Sequence, residues 1–200
     1  MGHLFCRARR HQPTDMQKNT QLVNLTNEES DLFENILLLL EETVKDNDSI
    51  QQDQTAPVFT NTQVPNISIR DYFSRLVRYF RMDKWSMLLC VHHLEALMQS
   101  STDIQFDKFT SHRLLGTSAV LAFKFNDCEH GDNRTSASYM ASILGVQRDD
   151  LNRMECAAIQ ALDYRLFVSP ENCDRIDTTI RETVKCMNIG ADSSISLVSQ

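Results

Sequence analysis

The chain has 200 residues, 42% of them hydrophobic, and a formal net charge of −7. That length suits one domain with tails, and five glycines with four prolines are too few turn residues for an all-β chain. The acidic balance argues against non-specific nucleic-acid binding, which depends on Lys and Arg neutralising phosphates.

Residues 1–25 are polar and aperiodic, and are expected to form a disordered arm. Thr26-Asn27-Glu28-Glu29 reads as a capping box. It opens a helix over 26–47, with Leu32, Phe33, Ile36, Leu37, Leu40 and Val44 on one face. Residues 48–66, rich in Gln, Asn and Thr, read as a linker, which makes the first helix an appendage on the main body.

Ser68-Ile69-Arg70-Asp71 opens the next helix, whose inward stripe is Ile69, Tyr72, Phe73, Leu76, Val77 and Phe80. Ser86 is expected to cap the helix after it, with Met87, Val91, Leu94, Leu97 and Met98 inward. Thr110 or Ser111 caps a helix that is apolar almost all round and therefore central. Asp127 to Arg134 is a polar loop, and a short helix from Ser136 ends at Gly145 as its C′ residue. Asp149 and Asp150 begin a helix through Leu162. Ser169-Pro170-Glu171 starts the last helix, over 169–190, followed by a tail at 191–200. The sum is an all-α chain.

Cys90, Cys156, Cys173 and Cys186 fall within helical patterns, and no CxxC occurs, so they read as small buried hydrophobes in a reducing compartment. No signal peptide and no membrane span are expected, which places the chain in the cytosol or nucleus. Cys128-Glu129-His130 supplies too few soft ligands for a metal, and His92 and His93 point to different helix faces, as surface or core-edge residues. No nucleophile, base and oxyanion donor can be assembled, so neither an enzyme nor a cofactor is expected.

Two charges stand inside apolar helical runs: Lys124, after Val120-Leu121-Ala122-Phe123, and Glu155, between Met154 and Cys156-Ala157-Ala158-Ile159. Burying an unpaired charge is expensive, so each needs a partner within the chain or outside it. A structural reading is available for Lys124, since a cation suits a helix C-terminus and its stem can snorkel to water.

The strings Thr110-Ser111-His112-Arg113-Leu114-Leu115, Ala122-Phe123-Lys124-Phe125-Asn126-Asp127 and Leu151-Asn152-Arg153-Met154-Glu155 resemble the cyclin box. The closest likeness is to the P/U-type branch, whose opening Pro65-Asn66-Ile67-Ser68-Ile69-Arg70-Asp71-Tyr72 also resembles. The resemblance runs from about Leu32 to Ile176. It implies a five-helix box over 67–168 around a central buried helix, with extra N- and C-terminal helices. It also implies a regulatory subunit that binds and activates a cyclin-dependent serine/threonine kinase, in cell-cycle progression or nutrient signalling. Residues matching Lys124, Glu155, Leu121, Phe125, Ile159, Tyr164 and Leu166 contact the kinase in that family, and an Arg–acid pair matches Arg70 and Glu95 as a structural ion pair. On this reading the partner of Lys124 is absent from the isolated chain. The family's substrate-docking stretch corresponds to Ile69-Arg70-Asp71-Tyr72-Phe73, and Leu76 replaces a Trp, which argues against docking there. A second reading, from another class, is a cyclin-fold module in transcription, contacting nucleic acid or polymerase machinery through the basic row Arg75, Arg78, Arg81 and Lys84.

Overall fold

In the computed structural model, residues 25–48, 57–126 and 136–195 are described, with side chains to residue 189. Nearly all of the expected N-terminal arm, the first half of the expected linker, the 127–134 loop with Cys128 and His130, and the end of the tail lie outside the described residues. Among the described residues there are seven helices and no strand. They are α1 (Asn27–Asp48), α2 (Ile69–Phe80), α3 (Lys84–Ser100), α4 (Ser111–Asn126), α5 (Ala137–Leu144), α6 (Arg148–Ala161) and α7 (Pro170–Ile195).

Local chemistry sets most of the boundaries. The Thr26 hydroxyl accepts from the Glu29 backbone N–H at 3.2 Å, and the Glu29 carboxylate accepts from the Thr26 N–H at 2.8 Å, a reciprocal capping box. Ser68 accepts from the Asp71 N–H and opens α2. The cap of α3 is Asp83 rather than Ser86: its carboxylate accepts from both the N–H and the hydroxyl of Ser86, so the helix begins at Lys84. Gly145, at φ 72°, closes α5 with its N–H on the Ala141 carbonyl. The α7 helix runs past Gly190, where the sequence pattern stops, because a single helical glycine costs only about 1 kcal/mol relative to alanine.

One core joins all seven helices. At its centre is α4, in which every residue from Ser111 to Phe123 except Arg113 is buried. Gly116 permits the close approach of α2 and α5: a Cβ there would lie 2.5 Å from Tyr72 Oη and 2.9 Å from Leu144 Cγ. The α1 helix is part of this core rather than an appendage. Its Leu32, Phe33, Ile36 and Leu37 are fully buried, and Phe33 stacks on Phe73 of α2 with ring centroids 5.1 Å apart. Such a pair adds about 0.5–1.5 kcal/mol beyond the burial of its area. Residues 57–66 are likewise anchored rather than loose. Phe59 is buried, Asn61 N–H donates to the Phe109 carbonyl, and Arg113 donates to the Val58 carbonyl and the Asn61 side chain.

Ion pairs tie the flanking helices to the body. Lys84, at the start of α3, reaches Glu28 of α1 at 2.6 Å and Asp177 of α7 at 2.8 Å; Arg181 also holds Asp177 at 2.7 Å. The expected Arg70–Glu95 pair does not form. Because α1 packs beside the start of α2, Arg70 binds Glu34 at 3.0 Å and approaches Glu41 at 4.0 Å, while Glu95, exposed on α3, accepts from Gln99. The stretch Tyr72, Phe73 and Leu76 is buried, so it presents no apolar docking patch.

Gly116→Ala should destabilise the protein by roughly 1–3 kcal/mol through overpacking. Urea denaturation measures it, and a Tyr72→Phe background should recover part of the loss by removing the nearest atom.

Candidate partner-binding surface at the end of α4

The last turn of α4 is held in place from two sides. Phe123 stacks on Phe80 of α2 at 5.0 Å, and the Asn126 side chain donates to Ser86 Oγ of α3 at 2.9 Å. Lys124 and Phe125 therefore emerge from a fixed point, where α4 leaves the core: Leu121 is buried, while Lys124 and Phe125 are exposed. On α6, Leu151, Met154, Glu155 and Ala158 form the buried face, which follows the i, i+3, i+4, i+7 spacing. Glu155 is thus a carboxylate on an apolar stripe, and only 7% exposed.

The two charges meet. Lys124 Nζ lies 2.5 Å from Glu155 Oε1, so the two helices are joined by a charge-assisted hydrogen bond. This corrects the expectation that the lysine's partner is missing from the isolated chain: each charge is the other's partner. The pair is asymmetric, since the Lys124 side chain is 41% exposed and that of Glu155 only 9%.

The other expected contact residues differ in exposure. Ile159 and Leu166 are half-buried, and Tyr164 is exposed. After α6 the chain reverses through Asp163 and Tyr164, both in the left-handed region at φ 50° and 59°. The Tyr164 N–H on the Ile159 carbonyl and the Arg165 N–H on the Leu162 carbonyl hold the turn. Residues 165–169 have no regular secondary structure, and they bring Phe167 to the end of α4. One residue escapes the sequence pattern: Phe167 is 73% exposed, and its ring lies 6.4 Å from that of Phe125. The signal that could have found it is alternation, because Leu166 and Val168 face the core and the residue between them cannot.

His93 anchors this segment from behind. It is fully buried, not a surface or core-edge residue, and its Nε2 lies 3.1 Å from the Leu166 carbonyl, to which it donates. Burial lowers its pKa, against the opposing effect of that hydrogen bond. Its Nδ1 and the Ser118 hydroxyl of α4 are both buried without a partner. His112 plays a similar part elsewhere, with Nε2 2.9 Å from the Ile67 carbonyl and its pKa lowered by burial. Of the cysteines expected to be buried, Cys90 and Cys173 are, and burial pushes the Cys90 thiol up to about 12. Cys156 and Cys186 are exposed, because they stand outside the inward stripes of α6 and α7.

The all-helical fold agrees with what sequence comparison finds: the chain belongs to the cyclin family, whose model, Cyclin, matches residues 5–166. Proteins of this family are non-catalytic kinase regulators. Within it, the chain is similar to plant U- and P-type cyclins and to a yeast cyclin. It is 27% identical to Cyclin-U4-3 of Arabidopsis thaliana over 131 residues, which is 66% of this chain and 58% of that protein. It is 28% identical to Cyclin-P3-1 of Oryza sativa subsp. japonica over 130 residues, 65% of this chain and 52% of that one. With the PHO85 cyclin PHO80 of Saccharomyces cerevisiae it shares 27% over 108 residues, 54% of this chain and 36% of the relative. The chain therefore spans less than two thirds of the length of each of these relatives. No helix among the described residues is long and apolar enough to cross a membrane.

The asymmetry of the ion pair predicts unequal mutants. Lys124→Met should lose about 1–2 kcal/mol, because it leaves a buried carboxylate without its donor. Glu155→Gln should lose less than about 1 kcal/mol, because Lys124 reaches water. The double mutant should recover most of the Lys124→Met loss; chemical denaturation of the three variants checks this.

Buried His93 predicts a pH dependence. Its folded pKa lies below the unfolded value of about 6.5. The unfolded chain therefore binds the proton more tightly. The contribution of the neutral ring is complete above about pH 6.5 and is lost as pH falls through the lowered folded value. Denaturation between about pH 7.5 and 5.5 should show a steeper loss for the unmodified chain than for His93→Gln.

Proposed function

We propose that this chain binds and activates a cyclin-dependent serine/threonine kinase, through a surface centred on Lys124 and Glu155 and bordered by Leu121, Phe125, Ile159, Tyr164 and Leu166. The observation that carries this reading is the pair itself: an exposed lysine and a buried carboxylate, joined at 2.5 Å, with exposed aromatic rings beside them. A half-buried polar centre with aromatic neighbours has the composition of a binding hot spot. Membership of the cyclin family, and the similarity to PHO80, a PHO85 cyclin, support a kinase as the partner.

The chain's part in activation is to be complementary to one kinase conformation. An inactive kinase holds its αC helix outward, with its Lys–Glu ion pair broken. A surface that fits only the inward position shifts that equilibrium by its differential affinity. The Glu155 carboxylate accepts from Lys124, and with two oxygens it keeps further acceptor capacity for N–H donors of a docked helix. The chain performs no chemistry in this scheme. Whether the complex serves cell-cycle progression or nutrient signalling depends on the kinase and its substrates, and a cytosolic or nuclear location fits both.

The alternative, a nucleic-acid-contacting module, draws little support from the basic row. Lys84 is held by Glu28 and Asp177, Arg75 donates to the Ser142 carbonyl of α5 at 2.8 Å, and the Arg78 guanidinium sits 5.7 Å from the Tyr79 ring centroid. Those cations serve internal contacts rather than a common outward stripe.

Glu155→Ala should weaken binding by a factor of roughly 30 or more, as expected when a buried, hydrogen-bonded interfacial charge is lost. Titration against a purified panel of cyclin-dependent kinases that includes PHO85, with thermal melting alongside, measures it. Unchanged affinity would remove Glu155 from the interface.

A further inference from the structure

We infer that His93 is a positioning residue for partner binding: by donating to the Leu166 carbonyl, it holds the segment that carries Tyr164 and Leu166 in the arrangement a kinase meets. The inference rests on the kinase-binding reading above and deepens it, since His93 lies in the core and acts only through Leu166.

The sequence puts a polar ring where an apolar side chain would serve. Cys90, His93, Leu94 and Leu97 follow the i, i+3, i+4, i+7 spacing of a buried stripe, and all four are buried in α3. His93 is 0% exposed. Burial lowers its pKa, so near neutral pH the ring is neutral and carries one N–H. A carbonyl only accepts, so that proton is on Nε2, 3.1 Å from the Leu166 oxygen. Nδ1 is then an acceptor, and it is buried without a partner. A buried polar atom left unpaired is destabilising, and leucine would fill the position without one. Packing alone therefore does not account for an imidazole here, whereas the hydrogen bond to Leu166 does.

That bond holds a stretch with few other ties. The turn after α6 is fixed by the Tyr164 and Arg165 N–H groups, on the Ile159 and Leu162 carbonyls. The chain is fixed again at Ser169, whose carbonyl accepts from the Cys173 N–H in the first turn of α7. Between these points residues 166–168 have no regular secondary structure. Among the described residues, the bond from His93 is the only hydrogen bond made by Leu166, Phe167 or Val168. Val168, 2% exposed, anchors its side chain in the core but does not set how the peptide planes before it are turned. A hydrogen bond to a carbonyl does, because the donor prefers the plane of the C=O group. His93 is itself placed by α3, which packs along the central α4.

Without the bond, the segment would sample several arrangements. A partner that accepts only one of them binds with an affinity reduced by the fraction of molecules that hold it. His92 offers an internal comparison. Its ring is 6.0 Å from that of His93, but it is half-buried and makes no hydrogen bond to this segment.

The test uses the full chain and the same purified kinase panel, including PHO85. His93→Leu, which is similar in volume and lacks the donor, should weaken binding about 5- to 20-fold. His93→Gln, whose side-chain amide can still donate, should stay within about threefold. His92→Leu should bind as the unmodified chain does. Nitrogen-15 relaxation of the free chain should show lower backbone order at 166–168 in His93→Leu and not in His93→Gln. A role in folding alone would move the melting temperature and produce none of these differences among folded variants. If Glu155→Ala loses binding while His93→Leu binds within about twofold, the inference fails and the kinase-binding reading stands. Equal losses in His93→Leu and His93→Gln also overturn it, because the donor would then be irrelevant. If no kinase in the panel binds the unmodified chain, the reading fails and the inference with it. Should His93→Leu melt early, His93→Met takes its place under the same expectations. The imidazole nitrogen shifts of the unmodified chain add a check free of any substitution: a proton on Nε2 supports the inference, and one on Nδ1 overturns it.

Discussion

Burial of α4 is the constraint on which the rest of this structure depends. A helix that buries every residue but one between Ser111 and Phe123 must be covered on all sides, and α2, α3, α5 and α6 pack around it. Small residues make the fit. Gly116 admits Tyr72 and Leu144, and Ala119 and Ala122 are fully buried beside it. The helix leaves the core only at its last turn, so the first side chains to reach solvent there, Lys124 and Phe125, are placed by the whole core rather than by a local loop. A site built on the end of a fully packed helix is held more precisely than one on a loop.

That placement explains how a charge can live on the inward face of α6. Glu155 would be costly to bury alone. Lys124 reaches it from the adjoining helix, and the lysine keeps part of its side chain in water. Such a pair is poor evidence for stability, since an apolar pair of similar volume would do as well or better. The proposed kinase binding would give the pair a further use, because the Glu155 carboxylate, buried in the isolated chain, has acceptor capacity for a partner's backbone N–H.

Much of the fold was legible in the sequence because its signals were local. The capping box at Thr26 and Glu29, the cap at Ser68 and the glycine stop at Gly145 each depend on a few neighbouring residues. The apolar stripe of α2 and the all-round hydrophobicity of α4 identified their burial. What the sequence could not convey was mutual placement. Lys124 and Glu155 each announced a need for a partner, but two helices had to be packed before they could be seen to satisfy each other. Arg70 had acidic candidates on several helices, and the docking of α1 selected Glu34 over Glu95. His93 looked like one of two histidines on a helix edge, but α3 proved to be buried on more than one side. Phe167 lay in a segment too short and irregular for periodicity to register, and its exposure follows from the burial of its two neighbours.

The central claim is that the end of α4 and the segment after α6 form one surface that a kinase covers. Hydrogen–deuterium exchange of the chain, with and without a bound cyclin-dependent kinase, tests it most directly. The account predicts slower exchange on binding in residues 121–126 and 155–168, with α2 and the exposed face of α7 unchanged. Protection confined to α2 or α7, with 121–126 and 155–168 exchanging as in the isolated chain, would contradict it.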